Sequence, residues 1–146
     1  MTIEEIEADI KAKTQLAISY AQDDIKEICR KHVFKFYADL APKLYRRTYQ
    51  LPETIMKSGV KSSGLGASGK VYFDSSPLNY APVIRLKDGS VRFNEWGEEK
   101  IFNLAMMGSH GGHPGRAGYS IWKNASSELD SKAEGILMAA CKKAGL

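Results

Sequence analysis

The sequence predicts an α+β fold with a long N-terminal helix, a small antiparallel β-sheet that contains a hairpin, and a C-terminal helix. Apolar residues recur at steps of three and four through residues 1–41 and again through residues 121–144, which is the spacing of amphipathic helices. Short segments of residues 70–96 alternate between apolar and polar side chains, as half-buried strands do. A chain of 146 residues fits one core, so we expect a single domain over residues 1–146.

The N-terminal helix has clear start and end signals. Thr2 and Glu5 have the spacing of a capping box, and the acidic residues that follow suit the positive end of the helix dipole. Pro42 ends or kinks the helix, because the residue before a proline is biased away from helical backbone. The apolar stripe consists of Ile3, Ile6, Ile10, Ala17, Ala21, Ile25, Ile28, Val33, Phe36 and Leu40.

The length of this helix bears on function. About 38 helical residues span roughly 57 Å, whereas a small domain is about 30 Å across. Either the helix breaks, with Asp23 and Asp24 marking the best position, or part of it protrudes from the core. A protruding amphipathic helix needs another chain to cover its stripe, so the length is a first indication of an assembly subunit.

The segment after Pro42 gives weaker signals. Residues 45–57 are compatible with a short helix in which Pro52 occupies the first turn. Residues 60–70, VKSSGLGASGK, are so rich in glycine and serine that they predict a flexible loop or a glycine-softened strand. Their GLGASG has the letters of a dinucleotide fingerprint, but that motif follows a strand and opens a helix, whereas here a strand comes after it. We therefore expect no nucleotide cofactor.

The hairpin is the clearest prediction in the middle of the chain. Val71 and Phe73 of KVYFD alternate with a tyrosine, which indicates a strand. The segments VIRL, from Val83, and SVRFNEW flank the pair Asp88-Gly89, and Asp-Gly between alternating segments is a strong hairpin signal. These segments supply the predicted antiparallel sheet.

The C-terminal helix is predicted over residues 121–144. Gly145 is a natural C-cap, and two lysines in the last turn suit the negative end of the helix dipole. The preceding IFNLAMMG, residues 101–108, is compatible with a strand or a short helical turn. The glycine-rich SHGGHPGRAG, residues 109–118, is predicted to be irregular.

No pattern of residues predicts catalysis. His110 and His113 are three apart and are compatible with a zinc-dependent hydrolase, but no CxxC, HExxH or carboxylate cluster accompanies them. We expect a surface loop there, with no metal, no cofactor and no enzymatic activity. Cys29 and Cys141 lie far apart, each on a predicted helix, and are interpreted as buried thiols.

Charge leaves a second function open. The net charge of +4 is mild for a nucleic-acid-binding protein. Lys26, Arg30, Lys31 and Lys35 form a basic helix face, which either contacts DNA phosphates or, the interpretation we favour, is a solvated face paired with Asp23, Asp24 and Glu27. The chain has no apolar run near the roughly 20 residues of a membrane span, and its acidic N-terminus does not resemble a signal peptide. We therefore expect no membrane contact.

Three segments carry a resemblance to a known group of proteins. YADLAPKLYRRTYQL at residues 37–51, VYFDSS at residues 71–76 and GSHGG at residues 108–112 follow one another between two helices. This order of features resembles small virion structural proteins of tailed bacteriophages and prophages, of the neck, tail-completion or head–tail connector type. The N-terminal helix here is longer than that resemblance leads one to expect, which leaves the position in the particle open.

The resemblance implies a structural subunit that forms a homo-oligomeric ring at the head–tail junction or the tail end. It implies a virion assembled in the bacterial host cytoplasm, with neighbouring connector, portal or tail proteins as partners and passing contact with DNA. The alternative is a small phage-encoded nucleic-acid-binding or inhibitor protein. The expected interface residues are of types enriched at binding hot spots, namely Tyr37, Tyr45, Arg46, Arg47 and Tyr49. An equally weighted alternative is that these tyrosines complete the core of the domain and the arginines face water.

Overall fold

The structure, a computed structural model, confirms the α+β fold class. It describes residues 1–39, 50–78, 83–85, 88, 91–93, 102, 105–107, 109–110, 113–114 and 120–146. Its elements are α1 (Ile3–Asp39), a 3-10 helix (Leu51–Thr54), β1 (Ile55–Lys57), β2 (Lys61–Ser63), β3 (Gly66–Ser68), β4 (Val71–Phe73), β5 (Val83–Arg85), β6 (Val91–Phe93), β7 (Ser109–His110), β8 (His113–Pro114) and α2 (Ile121–Ala144).

Helix α1 is continuous through the acidic pair at residues 23–24, so the helix does not break there. The predicted capping box forms: the Thr2 amide donates to Glu5 Oε2 at 2.7 Å, and the Glu5 amide donates to Thr2 Oγ1 at 3.2 Å. This reciprocal pair satisfies amides that have no partner inside the helix. Of the two expectations for a long helix, a break or a protruding end, the structure has no break.

Helix α2 begins and ends at the predicted residues. Gly145 has φ of +88°, its amide donates to the Lys142 carbonyl at 3.1 Å, and the Leu146 amide donates to the Cys141 carbonyl at 2.9 Å. This pair of bonds is a Schellman motif, which ends a helix by satisfying its last carbonyls and requires a left-handed residue at the glycine position.

The strands pair as four two-stranded sheets among the described residues: β1 with β4, β2 with β3, β5 with β6 and β7 with β8. The predicted hairpin around Asp88 is confirmed, since Val83 pairs with Phe93 and Arg85 with Val91 in antiparallel register. Residues 105–107 are helical, which decides between the two expectations for that segment.

Three local expectations are decided. Residues 60–70 form an antiparallel hairpin, so the expected glycine-softened strand is confirmed and the flexible loop is wrong. Gly64, at φ of +60°, occupies the two-residue turn of this hairpin, where glycine avoids steric cost. The segment that begins at Ser109 is not wholly irregular, because His110 pairs with His113 in the β7–β8 ladder. Residues 51–57 form a single 3-10 turn followed by strand β1, not a helix.

The chain divides into two compact units. Unit 1 comprises Met1–Ile28, Met56–Tyr72 and Ser127–Leu146; unit 2 comprises Cys29–Ile55 and Phe73–Ser126. Both long helices contribute residues to both units. The expectation of a single domain over residues 1–146 stays a prediction.

Unit 1 has an unusual interior. Every residue of this unit is described, and those that are buried are four alanines and one glutamine, namely Ala17, Ala21, Gln22, Ala140 and Ala144. Each larger apolar side chain of unit 1 is half-buried or exposed. Small buried side chains allow close approach of backbones but bury little apolar area, so this unit gains little from hydrophobic burial within the chain.

Gln22 joins the hairpin to α1 in unit 1. Its side-chain amide donates to the carbonyls of Ser58 and Lys70, both at 3.0 Å, and the Ser58 amide donates to the same Lys70 carbonyl at 2.9 Å. Gln15 of α1 also hydrogen-bonds Ser62 of β2. The β2–β3 hairpin is thus held at its base by one buried side chain.

Unit 2 has a core of large side chains. Among its described residues, the largest that are fully buried are Val33, Thr54 and Ile121. The Ser120 hydroxyl donates to the Met106 carbonyl at 2.5 Å, and the rings of Phe73 and Trp122 meet edge to face with centroids 6.3 Å apart. Other described core residues are Cys29, His32, Phe36, Tyr37, Leu51, Ile55, Leu78, Ala105, Met106, Ser120 and Ala125.

The packing of Gly69 against Gln22 gives a matched pair of predictions. A Cβ at residue 69 would lie 2.5 Å from Gln22 Nε2 and 3.1 Å from Ile18 Cγ2, whereas a Cβ at Gly135, inside α2, would meet nothing within 4 Å. We expect Gly69→Ala to lower the free energy of unfolding by about 1–3 kcal/mol. We expect Gly135→Ala to raise it by about 0.5–1 kcal/mol. Urea denaturation measures both; equal effects of the two variants would contradict the Gln22 contact.

Candidate interaction surfaces

The first ten residues form an exposed surface, called here the acidic end. Met1, Ile3 and Ile6 are 93%, 72% and 43% exposed. In unit 1 the residue that follows α2, Gly145, lies next to Lys13 of α1. A Cβ placed on Gly145 would be 3.5 Å from Lys13 Cε. Residues 1–9 of the chain are all exposed, so the apolar stripe of α1 continues beyond its contact with the end of α2.

The charged side chains of the acidic end are all negative. This surface contains four carboxylates, from Glu4, Glu5, Glu7 and Asp9, and no lysine or arginine. Asp9 pairs with Lys13 at 2.7 Å, and Glu5 is engaged in the capping box. The remaining two, Glu4 and Glu7, line a depression that also contains Lys11 and Leu65. Glu7 is in addition one helical turn from exposed Ile3. An exposed apolar ridge beside carboxylates favours an apolar partner with positive charge at its edges.

A second surface, called here the basic face, lies on α1 in unit 2. Arg30, Lys31, Phe34 and Lys35 are all exposed, at spacings that place them on one side of the helix. Lys26, which was also expected on this face, is half-buried and belongs to unit 1. Phe34 is 43% exposed, and the Arg30 guanidinium lies over its ring, 5.3 Å from the centroid. This cation–π contact holds a charge and an aromatic ring together at the surface.

The opposite side of the same turns is buried, which explains the orientation of the basic face. Cys29, Val33, Phe36 and Tyr37 lie in the core of unit 2. Asp23, one of the expected partners of the basic face, instead pairs with Lys57 of β1 at 2.7 Å in unit 1.

A third surface is an apolar groove of about 330 Å³ within unit 1. The groove is lined by residues of α1, by residues of α2, and by Ser68 and Gly69. The one large polar side chain in its lining, Gln22, already donates both of its amide bonds to backbone carbonyls. Its apolar lining comes from Ile18, Ala21, Ile25, Leu129, Ala133, Ile136 and Leu137. The lining holds no acid, base or thiol, so the groove is suited to binding an apolar group by shape.

The predicted interface residues are placed only in part. Tyr37 is 8% exposed, and its hydroxyl accepts a hydrogen bond from the Leu51 amide at 3.0 Å. It therefore belongs to the core of unit 2, as the alternative interpretation of the tyrosines expects. Tyr45, Arg46, Arg47 and Tyr49 lie outside the described residues, and their interface role stays a prediction.

The candidate chemical groups are also placed in part. The side chains of His110 and His113 lie outside the described part of the chain, so the zinc hypothesis stays untested. No group of three or more potential metal ligands occurs among the residues that the structure describes. Cys29 and Cys141 are both free thiols, the first buried and the second half-buried. Burial raises the pKa of the Cys29 thiol to about 11, which keeps it protonated and unreactive at neutral pH.

Sequence reasoning did not identify Phe34 or the groove. Phe34 lies outside the predicted apolar stripe and is four residues from Arg30, and an aromatic residue among lysines and arginines was the available signal. The sequence predicts that the α2 residues of the groove belong to an apolar helix face. Apolar periodicity identifies such a face, but it does not show whether other residues of the chain cover it.

Comparison of the chain with protein-family models, with curated proteins and with solved structures finds no match. Within the described ranges, no helix is long and apolar enough to cross a membrane.

The hydrogen bond between Leu51 and Tyr37 predicts the effect of removing one hydroxyl. Tyr37→Phe leaves the buried Leu51 amide without this acceptor, so we expect the free energy of unfolding to fall by about 1–3 kcal/mol. Tyr72→Phe, at an exposed ring, is the matched control and should change it by no more than about 0.5 kcal/mol. Chemical denaturation measures both; a Tyr37→Phe variant as stable as the control would contradict the buried role.

The raised pKa of Cys29 predicts a loss of stability at alkaline pH. The folded state holds the thiol proton more tightly than the unfolded state. The free energy of unfolding is therefore not affected by ionisation of this thiol below about pH 9, and it falls as pH rises toward 11. We expect the free energy of unfolding to fall by about 2 kcal/mol more over this window in the parent chain than in Cys29→Ala. Identical pH profiles for the two chains would contradict the assignment.

Proposed function

We propose that this protein is a non-catalytic structural subunit of a tailed-bacteriophage or prophage particle. It acts as one of several identical copies in a ring at the head–tail junction or at the tail end. The function is to present surfaces to other chains, first to other copies of itself and then to neighbouring connector, portal or tail proteins. The particle is assembled in the cytoplasm of the bacterial host.

The observation that supports this proposal most is the interior of unit 1. Its buried side chains are alanines and Gln22, while its isoleucines and leucines remain half-buried or exposed. Full burial of one such side chain stabilises a protein by about 1.5–3 kcal/mol, so covering several of them provides a large driving force for association. An exposed apolar surface of this kind is typical of a protein that functions in an assembly.

The distribution of surfaces suits a ring. A ring requires two different complementary surfaces on each copy, because every subunit contacts its neighbours by unlike faces. The acidic end and the basic face are two such surfaces, and the groove of unit 1 is a third, available to another partner. None of the three contains the grouped acid, base and nucleophile that catalysis needs. The resemblance of YRRTYQL, YFDSS and GSHGG to segments of phage virion proteins supports the same function.

A second candidate function follows from the basic face. Arg30, Lys31 and Lys35 are exposed on one side of α1, and cations at this spacing can contact DNA phosphates. A nucleic-acid-binding or inhibitor protein encoded by a phage would use this face as its main surface. Gel retardation at low salt distinguishes the two candidates: strong retention by an unassembled chain favours this second function.

The exposed stripe of the acidic end predicts how assembly responds to mutation. We expect the purified chain to have the mass of an oligomer in multi-angle light scattering, and Ile3→Ser with Ile6→Ser to shift it toward the monomer. The isoleucines are exposed, so far-ultraviolet circular dichroism should keep its helical signal. Ala8→Ser with Ala12→Ser, on the opposite side of the same exposed turns, is the matched control. A parent chain that stays monomeric at high concentration would overturn the proposed function.

A further inference from the structure

We infer that the acidic end of one copy docks on the basic face of a second copy, so that identical chains associate head to tail through the two ends of helix α1. This inference rests on the proposed function, since it names the surfaces by which copies of the subunit meet. It requires no residue outside those that the structure describes.

Charge decides which surfaces meet. Residues 1–10 contain four carboxylates and no cation from lysine or arginine, while Arg30, Lys31 and Lys35 place three cations around Phe34. Two acidic ends brought together would set carboxylates against carboxylates, and two basic faces would set cations against cations. Juxtaposed like charges repel, whereas the unlike pairing is attractive, so a symmetric contact of either surface with itself is disfavoured.

The apolar groups match as well as the charges. Ile3 and Ile6 form an exposed ridge at the acidic end, and Phe34 is the exposed apolar group at the centre of the basic face. Arg30 already lies over the Phe34 ring, so part of the basic face is ordered before a partner arrives. Docking the isoleucines against Phe34 would remove apolar surface from water on both copies and bring the carboxylates to the surrounding cations.

The two surfaces differ, so each contact leaves one unused surface of each kind on the pair. Further copies then add in the same way until the assembly closes into a ring or continues as a filament. DNA is the competing occupant of the basic face, and the test separates it from a second copy.

Complementary charge reversals test the inference. The acidic-end variant is Glu4→Lys with Glu7→Lys, which leaves the capping box and the Asp9–Lys13 pair intact. The basic-face variant is Arg30→Glu with Lys35→Glu. The matched control for the acidic-end variant is Asp130→Lys with Glu134→Lys, which makes the same change of net charge at exposed positions of α2. Light scattering gives the mass of each chain alone and of equal mixtures, and gel retardation on duplex DNA runs beside it.

We expect each variant alone to associate at least about tenfold more weakly than the parent chain, and we expect the control to associate as the parent does. An equal mixture of the two variants should regain the parent mass, because each reversed surface then meets its complement. That recovery also shows that both variants are folded.

Three outcomes count against the inference. Variants that assemble like the parent, or a mixture that stays dissociated while both variants keep their helical signal, overturn it and leave the proposed function standing. A basic-face variant that loses only its retention of DNA overturns it in favour of DNA as the occupant. A parent chain that is itself monomeric overturns the proposed function, and the inference with it.

Discussion

The structure of unit 1 depends on one constraint: α1 and α2 bury alanines there rather than large side chains. Ala17 and Ala21 on α1, with Ala140 and Ala144 on α2, are the buried apolar residues of this unit. Alanine costs little conformational entropy in a helix and lets another backbone approach closely, but it removes little apolar area from water. The larger apolar side chains of unit 1 stay half-buried or exposed, in the lining of the groove and in the ridge of the acidic end. In the assembly proposed above, another chain buries them.

Unit 2 shows what the same helices do when they pack with large residues. Val33 and Ile121 are fully buried there, and the one exposed aromatic ring of the basic face, Phe34, is held under the Arg30 guanidinium. Helix α1 is therefore amphipathic in two different ways along its length. Through unit 2 it has a buried side and a basic outer side, and at its start it has an exposed isoleucine ridge between carboxylates. That change along one helix provides the two unlike surfaces that head-to-tail assembly requires.

Elements governed by local interactions could be predicted from the sequence. The Thr2–Glu5 capping box, the Gly145 cap and the Asp88-Gly89 hairpin each depend on residues within a few positions of one another. The sequence leaves residues 60–70 open between a flexible loop and a strand, because the contact that holds the base of the hairpin comes from Gln22, some forty residues earlier. The exposure of the groove could not be predicted either, because the spacing of apolar residues identifies a helix face but not the residues that cover it. The interface role of Tyr37 was expected from residue type alone, and the contact with Leu51 that buries it is tertiary.

In the proposed assembly, other copies of the chain cover the exposed apolar surface at the start of α1. Hydrogen–deuterium exchange at increasing protein concentration tests this burial, because it reports on each amide of the helix separately. We predict that exchange of amides in residues 7–10, within the acidic end, and 30–35, within the basic face, slows as concentration rises, while amides of residues 121–125 keep a constant rate. Exchange of both segments that is independent of concentration, up to the highest attainable, would show that no second copy covers them.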